Sequence, residues 1–108
     1  NLGIPLCEAV PRPTLPSPMP DYEYIVAEVS SFQLETIHRF KPWIAVLLNV
    51  TPDHLDRHPT QEDYRAAKQR IFENQTIQDW ALINVDDPVV RTMALSSRSG
   101  ICEFSLIR

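Results

Sequence analysis

The chain has 108 residues, a formal net charge of -4, ten prolines and only two glycines, which fits one small domain with a modest core. It has no apolar run near the ~20 residues of a membrane span, no export signal at its start, and too little positive charge for a broad nucleic-acid footprint. The two glycines, Gly3 and Gly100, exclude a phosphate-binding P-loop and a dinucleotide fingerprint within these residues, because both motifs need clustered glycines.

The chain opens on Asn1 rather than Met, which points to a piece of something longer. Leu2 to Val10 has helical character, and Pro11 ends it. Pro11 to Pro20 holds five prolines and reads as an extended or polyproline surface loop. Three continuous apolar runs follow. Tyr24–Ala27 leads into Glu28, Trp43–Leu48 into Asn49, and Trp80–Ile83 into Asn84. Continuous runs suit parallel strands buried on both faces.

Helical patterns accompany these strands. Thr51 as N-cap and Pro52 behind it would start a short helix. Thr60 caps the best-patterned helix, Gln61 to Glu73, with Asp63 in capping-box position. Tyr64, Ala67, Ile71 and Phe72 form its core-facing stripe. A further helix starts near Asp86-Asp87-Pro88 and runs through Val89, Val90 and Met93. Cys102 to Ile107 reads as a fourth strand. The expected class is α/β: a single partial domain over 1–108, with a mostly parallel sheet flanked by helices. Cys7 and Cys102 lack metal-ligand spacing and read as buried thiols in a reducing compartment.

Each of the three runs ends in a polar residue, where an open parallel sheet places its ligands. Asp86 and Asp87 suit a helix start as well as a site. Glu28 at a strand end would be partly desolvated and would need a cation, either Mg²⁺ or an arginine. His54, in the first turn of a short helix, could stay neutral and ligate a metal. Asp56 and His58 suit a solvated turn better. Lys68 lies on or beside the apolar stripe of its helix. It is either a lysine whose stem packs while its ammonium reaches water, or an amine with a lowered pKa. Such an amine can act as a nucleophile or be modified into a metal-ligating acid.

Three segments together resemble the central domain of the Mur ligase family. They are Glu28-Val29-Ser30-Ser31-Phe32-Gln33-Leu34-Glu35, Asn49-Val50-Thr51-Pro52-Asp53-His54-Leu55-Asp56-Arg57, and Tyr64-Arg65-Ala66-Ala67-Lys68-Gln69-Arg70-Ile71. Asn1-Leu2-Gly3-Ile4-Pro5 is similar to the tail of that family's Gly-Asn-x-Gly motif, and Asn84-Val85-Asp86-Asp87 also fits. The resemblance implies a partial α/β ATPase domain of a three-domain cytoplasmic enzyme, monomeric and active in peptidoglycan precursor synthesis. The implied reaction uses ATP to join D-glutamate to UDP-MurNAc-L-alanine through an acyl phosphate.

By the same resemblance, Glu28 would ligate the Mg²⁺ that bridges the ATP phosphates. His54 and a carbamylated Lys68 would serve a second Mg²⁺. Asn1 and Ser30 would contact the muramoyl substrate, with Phe32 and Thr51 nearby. The family's phosphate loop would precede Asn1, so the isolated 108 residues are expected to be inactive. The 11–20 loop is longer and richer in proline than the resemblance leads one to expect at that point. Two alternatives from different classes remain: another amide ligase of the superfamily, such as a folylpolyglutamate synthase, and a non-catalytic α/β interaction module. A metal-dependent phosphohydrolase built on Asp53 and His54 would need more ligands than the chain offers.

Overall fold

The computed structural model describes residues 23–51 and 58–107. The chain divides into two units, residues 1–30 and Ser31–Arg108. In the second unit the elements run α1 (Ser31–Leu34), β1 (Ile44–Leu47), α2 (Gln61–Gln69), a 3-10 turn (Arg70–Phe72), β2 (Trp80–Asn84), α3 (Pro88–Ala94) and β3 (Gly100–Phe104). The three strands form one sheet in the order β1-β2-β3. Both pairings are parallel, with Ala45 opposite Ala81 and Leu47 opposite Ile83, and with Leu82 opposite Cys102. Parallel neighbours need crossovers, and helices supply them, so the α/β expectation holds.

Alternation along the strands decides where the core sits. Ala45, Leu47, Ala81 and Ile83 point to one face and pack with Phe72, Val90, Met93 and Ala94. The small alanines at the middle of that face leave room for these larger side chains. Val90 and Ala81 are completely buried. The other face carries Ile44, Val46 and Trp80, each roughly half exposed (49%, 43% and 50%). Burial on both faces was expected, but among the described residues only one face is covered. Phe72 and α3 supply that cover, and a continuous apolar run does not say how many layers rest on it.

Two further expectations are corrected. Residues 24–30 carry no strand, and Tyr24, Ile25 and Val26 are exposed. An apolar run becomes a strand only where a neighbouring ladder satisfies its backbone groups, and among the described residues the sheet is made of β1, β2 and β3. Cys102 is exposed rather than buried, because it sits in β3 opposite Leu82, on the uncovered face. Cys7, the 2–10 helix, the 11–20 loop and the short helix after Thr51 fall outside the described residues.

The helix starts behave as their local chemistry dictates. Thr60 Oγ1 accepts from Asp63 N at 3.1 Å and donates to Asp63 Oδ2 at 2.9 Å. The α2 stripe is buried at Tyr64 and Ala67, and Phe72 continues it into the 3-10 turn. Asp87 caps α3 by accepting from Val89 N and Val90 N. Its other oxygen accepts from Val50 N at 2.9 Å, which ties the start of α3 to the segment leaving β1. Asp86 accepts from Ser105 Oγ and Leu106 N, each at 2.7 Å. Both acids therefore do structural work at the carboxyl ends of the strands. Beside Trp80, in the next strand, sits Gly100. A Cβ there would lie 2.9 Å from the Trp80 ring, so the close approach of this indole requires glycine.

Candidate functional site

Ser31 opens α1, and its neighbour Phe32 is 54% exposed. Glu35 follows the helix. Across from them, His58 precedes the Thr60 cap of α2 and is only 4% exposed. Its Nε2 lies 3.0 Å from Ser31 Oγ, and its Nδ1 lies 3.0 Å from Glu35 Oε1. The carboxylate can only accept, so Nδ1 carries the hydrogen. In the neutral ring Nε2 is then the acceptor for the Ser31 hydroxyl. A solvated turn was expected at His58, and the structure corrects this. The ring is enclosed because both nitrogens have partners and one face meets Tyr64, at a centroid distance of 5.5 Å and a tilt of 60°.

Tyr64 connects this group to Lys68. One helical turn separates the two residues, which places them on the same side of α2. Lys68 Nζ lies 5.3 Å from the Tyr64 ring centroid. This is the distance at which a ring face attracts a cation. The lysine is half-buried. Ser31, Glu35, His58, Tyr64 and Lys68 thus form one contiguous chain of contacts.

A second connection holds α1 to the end of α2. Arg70 Nη1 donates to the Glu35 carbonyl, and Nη2 donates to the Ile37 carbonyl at 2.9 Å. Asn74 Nδ2 donates to the carbonyls of His38 and Phe40. An open groove runs alongside, lined in part by Glu35, His58, Asp63, Ala67 and Arg70.

The remaining candidates are placed as follows. Glu28 and Ser30 belong to the first unit, and both are exposed. Glu28 therefore has the exposure of a surface carboxylate rather than the desolvation expected of a strand end. Thr51 is exposed just beyond β1. Asn1 and His54 fall outside the described residues. Among the described residues no three His, Cys, Asp or Glu side chains gather as a metal site. By donor chemistry, Glu28 offers the hard oxygen that Mg²⁺ prefers. Lys68 offers none as an ammonium, and fits a metal only as a carbamate.

Ser31, Glu35 and His58 form a connected group that spacing did not reveal. Ser31 and His58 are 27 residues apart, and no local pattern joins them. The available signal was that Ser31 and Glu35 lie four apart, on one side of a helical turn. No helix among the described residues is long and apolar enough to cross a membrane.

The described residues thus form a parallel α/β sheet beside a capped helix that carries Tyr64 and Lys68 one turn apart. The sequence profile of the Mur ligase middle domain matches residues 10–106, and the chain belongs to this family. Among its relatives are proteins named UDP-N-acetylmuramoylalanine--D-glutamate ligase. The one from Geotalea daltonii is 50% identical over 97% of this chain. The one from Koribacter versatilis is 54% identical over 79% of it, and the one from Geobacillus kaustophilus is 49% identical over 97%. The chain spans only 22% of the length of the Geotalea and Geobacillus relatives and 19% of the Koribacter one.

Proposed function

We propose that this chain is the middle-domain segment of an ATP-dependent ligase that adds D-glutamate to UDP-MurNAc-L-alanine. The observation that carries this reading is near-50% identity across almost the whole chain to ligases bearing that name. The chemistry has two steps. The terminal carboxylate of the alanyl substrate attacks the γ-phosphorus of ATP, which forms an acyl phosphate and releases ADP. The D-glutamate amine then attacks the acyl carbon, forms the amide, loses a proton and expels inorganic phosphate.

Phosphoryl transfer of this kind rests on positioning and charge stabilisation. Asn1, Ser30, Phe32 and Thr51 are assigned to the muramoyl substrate, which they bind and orient. Glu28 is assigned to one Mg²⁺, and His54 and Lys68 to a second, Lys68 after its amine has added CO₂ and lost a proton. Bound there, the metals would neutralise the charge that builds on the transferring phosphate. The carbamate reading accounts for an ionisable group placed beside an apolar stripe. The enzyme is assigned to the cytoplasm, as a monomer.

The test is an acceptor panel with the purified full-length protein, ATP and UDP-MurNAc-L-alanine. D-glutamate is expected to support phosphate release and amide formation, and L-amino acids are not. Preference for another amino acid would move the protein to a different ligase of the superfamily.

A further inference from the structure

We propose that His58 is a positioning residue, which holds the turn carrying Phe32 in register with the helix carrying Lys68. This rests on the ligase reading, in which both of those residues serve the reaction. The Ser31–His58–Glu35 chain meets the imidazole from two sides, at 3.0 Å each. In the neutral ring one contact has it as donor and the other as acceptor, so the ring has a single acceptable orientation about its side-chain axis. That orientation presents the ring to Tyr64, and the opposite end of the same tyrosine contact is Lys68 Nζ. A shift of α1 would therefore reach the lysine through two packed rings.

The same three side-chain types in a row can form a hydrolytic triad, but the surroundings do not fit one. The groove beside His58 is lined by Glu35, His58 and neighbours from α2, and Ser31 does not line it. The serine hydroxyl is used to orient the ring. Removing the chain would not release α1 either, because Arg70 and Asn74 hold the segment behind it independently. Loss of His58 should change alignment more than folding.

The experiment uses the full-length protein with four variants: His58→Leu, His58→Gln, Ser31→Ala and the Ser31→Ala/His58→Leu double. His58→Leu is expected to lower kcat about tenfold or more, in the range seen when residues supporting an active-site group are removed, with KM for ATP unchanged. His58→Gln keeps one donor and one acceptor and is expected to recover most of the rate. The double variant is expected to be no slower than His58→Leu, because residues of one network are not additive. Nitrogen NMR of labelled histidine is expected to place the hydrogen of neutral His58 on Nδ1. An unchanged kcat in His58→Leu, even with a lowered melting temperature, would overturn the proposal. So would additive losses in the double variant, or a hydrogen on Nε2. If the wild-type protein itself does not ligate D-glutamate, the ligase reading falls, and the NMR result still decides the hydrogen-bond chain.

Discussion

Lys68 and Asp79 are both charged groups held against packed structure, and they are held for different reasons. Lys68 rests its ammonium against the Tyr64 ring, a contact that leaves it reachable from water. Asp79 is only 4% exposed and accepts from Thr76 N at 2.7 Å and Thr76 Oγ1 at 3.1 Å. Lys41 Nζ lies 3.1 Å away. The Thr76 backbone N–H, and after it Lys41, hold the Asp79 carboxyl below its ordinary 3.8, while burial works the other way. A depressed carboxyl stabilises the folded chain above its ordinary value, and that contribution is lost as pH falls through the lowered folded value. Asp79→Asn is therefore expected to melt below wild type near neutral pH. The gap should close on acidification from about pH 7 to about pH 2, as followed by circular dichroism. A gap that stays constant would contradict this account of Asp79. Lys41 and Lys68 are the only lysines. Their scarcity drew attention to both, and the structure pairs the first with Asp79 and sets the second against the Tyr64 ring.

At the level of elements, what could be read from sequence was what is local. The Thr60 and Asp87 caps involve residues two or three positions apart, and both form as their chemistry requires. The α2 stripe and the apolar runs that became β1, β2 and β3 were legible for the same reason. The bond from Val50 N to Asp87 spans 37 residues and was not legible, nor was the 27-residue link from Ser31 to His58. Asp87 therefore does more than a cap. Thr60→Ala is expected to cost about 1 kcal/mol, the usual value for a lost N-cap. Asp87→Ala should cost about 2–4 kcal/mol, because it removes a cap and also strands the Val50 N–H. Denaturant midpoints of the two variants check this. Equal losses would show that the Val50 bond contributes nothing.

At the level of the whole molecule, the sheet is one-sided among the described residues. Apolar patterning predicted its strands, but it could not say which face would be covered, since a continuous run looks the same with one layer or two. The first run shows the same limit, because 24–27 has strand composition and no strand. The site is legible to a similar extent. Glu28 and Ser30 lie in the first unit, and Thr51 and Lys68 on separate segments of the second. The chain from Ser31 through His58 and Tyr64 to Lys68 emerges only when α1 and α2 are packed. The glycine count keeps its first meaning for these residues: no glycine-rich phosphate loop lies among them.

The proposed function has at its centre the activation of a carboxylate by phosphorylation, and the fate of one oxygen atom tests that directly. The full-length protein would be given UDP-MurNAc-L-alanine with ¹⁸O in its terminal carboxylate, together with ATP and D-glutamate. An acyl phosphate predicts that one labelled oxygen leaves with each inorganic phosphate as the amide forms. Amide formation accompanied by unlabelled phosphate would contradict the account.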